Sequence, residues 1–78
     1  MYTVKSESWC RNSKTGEIVP AAGYVLDRAT RKPRAFERLD DVGASLGDRA
    51  SRLDETTWTI TTHIEGKSYV STFRAIAS

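Results

Sequence analysis

Two side chains with reactive chemistry of their own occur once each in this sequence: Cys10 and His63. A histidine serves as general base for a nucleophile when a carboxylate orients its ring and a pocket encloses the pair. His63 falls in "TWTITTHI", where alternation puts it on the polar side of a strand beside Thr61 and Ser68. That setting implies no pocket, so the expectation is an ordinary exposed histidine and no enzyme. Cys10, near a strand end, reads as a small buried hydrophobe rather than a nucleophile. Together the two residues supply half of the four ligands a structural zinc requires, and no paired spacing supplies the rest, so no metal is expected. A single cysteine forms no intramolecular disulfide, which favours a reducing, intracellular setting. The glycines at 16, 23, 43, 47 and 66 never form the strand, Gly-rich turn and helix start that cradle a phosphate, so no nucleotide cofactor is expected. A chain this short also lacks the bulk to enclose a pocket of several hundred Å³.

The remaining candidate chemistry is charge. Twelve Lys and Arg against ten Asp and Glu give a net charge of +2, too mild a balance to steer the whole molecule to nucleic acid or an anionic membrane. The basic residues gather in "DRATRKPRAFER", where Arg28, Arg31, Lys32, Arg34 and Arg38 stand among Asp27 and Glu37. Such a stretch neutralises a few phosphates or meets an acidic partner. Asp40, Asp41 and Asp48 lie on the one helix expected, where they repel the phosphates flanking a major groove. The expected open sheet face carries threonines where single-strand binding needs aromatics. The leading expectation is therefore a small non-enzymatic protein-interaction module with those five basic residues as its contact patch. The alternative is a nucleic-acid-binding accessory protein that uses the same Arg-rich hairpin, 28–38.

These residues must be positioned by one α+β domain spanning 1–78, since the chain is too short for a second core. Its stability should be of order 5 kcal/mol. "YTVKSESWC" alternates as a half-buried strand, with Tyr2 and Val4 on one side and Lys5 and Glu7 on the other. "RNSKTGE" reads as a turn in which Asn12 and Gly16 are able to take positive φ. A return strand begins near Ile18; Pro20 marks an edge, and the firmer part is "GYVLDR", 23–28. "ATRKP" is a further turn, and "RAF" adds a short third pairing. From Leu39 the period changes: Leu39, Val42, Leu46, Ala50 and Leu53 share one helical face, with Asp40 and Asp41 in the first turn and Arg49 and Arg52 in the last. Gly43 and Gly47 either admit close packing or mark a marginal helix. The hairpin "TWTITTHIEGKSYVSTF" turns at Glu65-Gly66, pairing Trp58 with Phe73, Ile60 with Ser71, Thr62 with Tyr69 and Ile64 with Lys67. The opposite face, with Thr59, Thr61, His63, Ser68, Val70, Thr72 and Arg74, reads as solvated. The expected core is Val4, Tyr24, Leu26, Phe36, the helix stripe and the hairpin face around Trp58 and Phe73, in an antiparallel sheet with the helix packed on one face.

No apolar run approaches membrane-spanning length and "MYTVKSESW" is no signal peptide, so the expected setting is cytoplasmic. An open strand edge, with Val70 and Ile76 on the polar face, allows a homodimer. In size and plan the chain resembles the compact accessory proteins of phages and other mobile elements, among them anti-CRISPR inhibitors that dock on a host complex. That resemblance implies an accessory or inhibitory role exerted by binding alone.

Overall fold

The alternating residues on either side of Glu65-Gly66 form the most regular hairpin of the molecule. In the computed structural model, which describes residues 1–78, they are β4 (Thr57–Ile64) and β5 (Lys67–Ala77). Trp58 faces Phe73, Ile60 faces Ser71, Thr62 faces Tyr69 and Ile64 faces Lys67, the register expected. Glu65 (φ 51°) and Gly66 (φ 78°) both take positive φ, as a two-residue loop matched to the right-handed strand twist requires. A second hairpin joins β1 (Tyr2–Arg11) to β2 (Ile18–Tyr24), paired from Lys5 with Tyr24 to Arg11 with Ile18. In its turn only Gly16 takes positive φ (76°). Asn12 instead closes the turn through its side chain, whose amide oxygen accepts the Lys14 and Thr15 N–H groups at 2.8 and 3.3 Å.

The two hairpins are zipped together by β1 and β5, from Tyr2 with Ala77 to Glu7 with Thr72. With the short strand β3 (Ser51–Asp54) on the outer side of β4, the sheet is five-stranded and antiparallel, in the order β2-β1-β5-β4-β3. One face is crossed by α1 (Leu39–Leu46), which completes the α+β architecture read from the sequence. No helix is long and apolar enough to cross a membrane.

Three local expectations are corrected. First, β2 is firm over Ile18–Tyr24 and ends only two residues into the 23–28 stretch expected to be its best part. Val25 N–H donates to the Val4 carbonyl, so by the period of two the N position of residue 20 points to the open edge, where Pro20 removes no ladder bond. That register also puts Tyr24 on the open face and makes Val25 the inward residue: Tyr24 and Leu26 are 45% and 48% exposed, while Val25 packs on the core. Second, the helix stops at Leu46 rather than Leu53. Gly47 takes φ 89°, ψ −177°, a region that is essentially glycine-only, and its N–H closes on the Gly43 carbonyl at 3.1 Å. Third, the chain beyond Gly47 becomes β3. There Ser51, Arg52 and Asp54 pair with Thr59, Trp58 and Thr57 and cover the outer edge of the first three residues of β4. Leu53 is extruded at a bulge in β3, between the Arg52–Trp58 and Asp54–Thr57 pairs, and is 67% exposed rather than part of a helix stripe.

Four apolar side chains are fully withdrawn from water, each from a different segment: Val4 of β1, Phe36 of the connection, Val42 of α1 and Trp58 of β4. Tyr2, Val25, Leu39, Leu46, Ala50, Phe73 and Ala75 pack around them. Gly43 is what lets α1 approach the sheet, since a Cβ there would lie 3.2 Å from Trp58 Nε1. On the same tryptophan rests Arg52, its guanidinium 4.9 Å from the ring centre. That guanidinium donates to the Asp54 and Glu55 carbonyls at 3.2 and 2.7 Å and lies 3.6 Å from the Asp40 carboxylate. Arg52, expected in a helix terminus, instead ties β3, the β3–β4 turn and the first turn of α1 together over the core.

Candidate interaction surfaces

After Tyr24 the chain leaves the sheet, makes a hairpin excursion and returns to pair with the start of β1. The return is fixed by reciprocal bonds between Tyr2 and Phe36, 2.7 and 2.8 Å. The excursion is closed by Arg34 N–H donating to the Val25 carbonyl and Asp27 N–H donating to the Lys32 carbonyl, with a bridge between Leu26 and Pro33. Asp27 caps the tip: its carboxylate accepts the Ala29 and Thr30 N–H groups at 2.8 and 3.2 Å, and Thr30 Oγ1 accepts the Lys32 N–H at 3.3 Å. Arg31 sits in the left-handed region (φ 60°), the conformation that lets a short loop close on a twisted ribbon.

Arg28, Arg31 and Lys32 are therefore carried, exposed, on an ordered tip. Arg34 stands at its base with the guanidinium 5.1 Å from the Phe36 ring centre, half committed to shielding the core. Arg38 is set apart at the N-cap of α1, and its guanidinium lies 3.6 Å from Asp41, one helical turn on. Of the five basic residues singled out, the fold brings four onto the excursion, none of those four within salt-bridge reach of a carboxylate. The cleft at the excursion's base, lined by Arg34, Phe36, Glu37, Asp41, Ala44 and Ser45, is mixed in sign.

The second surface is the sheet face that α1 does not cross. Its threonines and His63 are where alternation put them, and His63 Nδ1 lies 3.0 Å from Ser68 Oγ across the hairpin. That face is not purely polar, however. Trp9, Tyr24, Val70 and Ile76 stand on it, 39%, 45%, 52% and 43% exposed. A shallow open groove between Trp9 and Val70 is lined also by Glu7, Pro20, Ala22 and Thr72. The signal for Trp9 was present, since the period that turns Val4 inward sends Lys5, Glu7 and Trp9 outward together.

Trp9 has a definite role in the sheet. The β1–β5 ladder ends at Glu7 and Thr72, beyond which the hairpins diverge. The Trp9 indole N–H fills the fork by donating to the Val70 carbonyl at 3.1 Å, its ring edge-on to Tyr69 at 5.3 Å between centres. Ser8 and Ser71 share a hydroxyl hydrogen bond of 2.9 Å just below. At the tips, Arg11 and Glu65 approach to 3.8 Å, both well exposed, a pair that contributes little. Cys10 is exposed as a free thiol rather than buried as expected, because beyond the fork no element covers its part of the sheet.

Comparison with protein-family models, curated proteins and solved structures gives no match for this chain.

Proposed function

We propose that the chain is a small non-enzymatic interaction module that works inside the cell by seating its basic excursion on an acidic face of another protein. An accessory or inhibitor protein of a phage or mobile element would act in this way. The observation that carries the reading is the state of the tip. Arg28, Arg31 and Lys32 have no carboxylate partner, while Asp27 and Thr30 hold their backbone in one conformation. Ordering a loop before it binds removes an entropic cost of association, and unpaired cations gain most from a complementary carboxylate surface. The free Cys10 thiol suits a reducing compartment.

The same loop would serve a nucleic-acid-binding accessory protein. In favour of that second reading, Trp9 and Tyr24 stand on the open sheet face with Lys5 and Arg74. Glu7 on the same face and Glu37, Asp40 and Asp41 beside the loop weigh against a phosphate chain. The experiment is capture from the source organism's lysate, with and without nuclease, by the native chain and by Arg28→Glu/Lys32→Glu. Both positions are exposed, so folding should change by no more than about 0.5 kcal/mol. The expected result is a nuclease-resistant protein partner whose binding the double substitution abolishes. Capture lost on nuclease treatment would favour the second reading, and capture unchanged by the substitutions would move the functional surface off the excursion.

A further inference from the structure

We infer that the open sheet face is the contact between two copies of this chain, packed about a two-fold axis into a helix–sheet–sheet–helix sandwich. The inference does not rest on the basic excursion. It starts from the distribution of apolar side chains: of seven large hydrophobic residues left exposed, Trp9, Tyr24, Val70 and Ile76 share the one sheet face that nothing in the chain covers. A sheet normally buries such a face against another layer. The molecule measures 39 × 27 × 17 Å, dimensions that bound the face and leave room for the roughly 800 Å² per partner that a specific dimer occupies.

The charges on that face say which partner fits. Lys5 of β1 lies directly opposite Arg74 of β5, a like-charge pair that is unfavourable unless an anion answers it. Neither residue has a carboxylate within salt-bridge reach, and Glu7, one rung further along the same face, has no cation. The patch thus holds two unanswered cations and one unanswered anion a rung apart. A two-fold axis between the Lys5–Arg74 and Glu7–Thr72 rungs sets Glu7 of each copy against Lys5 and Arg74 of the other, twice over, as an isologous contact requires. Sheets stacked in this aligned manner lie about 10 Å apart, a depth suited to the exposed Tyr24, Val70 and Ile76 side chains of the two copies. A face carrying both signs in this arrangement is complementary to itself, whereas a polyanion would meet Glu7 and a polycation would meet Lys5 and Arg74.

The test is sedimentation equilibrium of the whole chain up to about 100 µM, where a dimer of micromolar affinity is well populated. The expected mass is twice the 8.7 kDa of one chain. Glu7→Lys alone and the double substitution Lys5→Glu/Arg74→Glu should each weaken dimerisation at least about tenfold, because each sets like charges together at both ends of the axis. An equimolar mixture of the two variants should restore a dimer, since the heterodimer regains both attractive contacts. No effect on folding can produce that rescue, and circular dichroism of each variant should match the native spectrum. A native chain that stays at 8.7 kDa throughout would overturn the inference. So would a mass that grows without limit, the mark of edge-to-edge strand addition, or a monomer that retards a thymidine oligonucleotide and loses that activity on Arg74→Glu. A dimer that the mixture fails to restore would place the contact on another surface and overturn it equally.

Discussion

The two tryptophans of this chain stand on opposite faces of the same sheet. Trp58 is 3% exposed, enclosed by Gly43 below and the Arg52 guanidinium above; Trp9 is 39% exposed, with its indole N–H spent on the Val70 carbonyl. Neither face is uniformly apolar. The covered face includes Ser6, Ser8, Thr62 and Ser71, and the open face includes Trp9, Tyr24, Val70 and Ile76. The strands therefore do not themselves distinguish core from surface. What distinguishes them is that the connection after β2 returns across one face, bringing Phe36, Leu39 and Val42 onto Val4 and Trp58. Eight helical residues cover part of one face, and no segment among residues 1–78 covers the other.

Removing each tryptophan is the sharpest way to break this contrast. Trp58→Ala should cost about 3–5 kcal/mol, comparable to the whole stability of a domain this small, and leave a chain largely unfolded at 25 °C by circular dichroism. Trp9→Ala, measured at low concentration, should cost only about 1 kcal/mol, the value of one exposed hydrogen bond and one aromatic edge contact. Equal losses in urea titrations would mean that the open face contributes as much to folding as the covered one.

The glycines of α1 sharpen the same comparison by a smaller amount. Gly43→Leu introduces a good helix former where even an added Cβ would lie 3.2 Å from Trp58 Nε1, so the helix must lift off the sheet, at about 1–3 kcal/mol. Gly47→Ala meets no neighbouring atom but must hold φ 89°, ψ −177°, at a similar cost of about 1–3 kcal/mol. Double-mutant cycles with Trp58→Phe separate the causes: Gly43→Leu should couple to the ring and Gly47→Ala should not.

The smallest effect belongs to the outer edge of the sheet. Asp54 accepts the Thr56 N–H at 2.9 Å in the β3–β4 turn, and this bond, followed by that from the Thr57 hydroxyl, holds its carboxyl below the ordinary aspartate value. A carboxylate depressed in the folded state stabilises it above the unfolded value, and that contribution is lost as pH falls through the lower folded value. The melting temperature of the native chain should therefore fall slightly more steeply below pH 4 than that of Asp54→Asn. Parallel acid curves would show that the turn draws nothing from the charged form.

Local chemistry was legible where neighbours in sequence are neighbours in space. The Glu65-Gly66 hairpin carried its register in its alternation and its turn, the Asn12–Gly16 and Ala29–Pro33 turns were marked by their residues, and Leu39 with Val42 announced the start of the helix. The basic excursion was visible as composition, and Trp9 as an outward residue of β1. What a sequence read locally could not decide is how these pieces compete. Ala50 and Leu53 fit a helical period with Leu46, yet Gly47 ends the helix and the chain beyond it pairs with β4 as β3 instead. The inward choice between Val25 and its neighbours hung on a single-residue shift in the β1–β2 pairing. The central pairing, β1 with β5, joins residues up to 75 positions apart, from Tyr2 to Ala77, so nothing local encodes it. Strand order and the fork that Trp9 fills are consequences of that one long-range ladder. Its rungs exist only once loop closure has been accomplished.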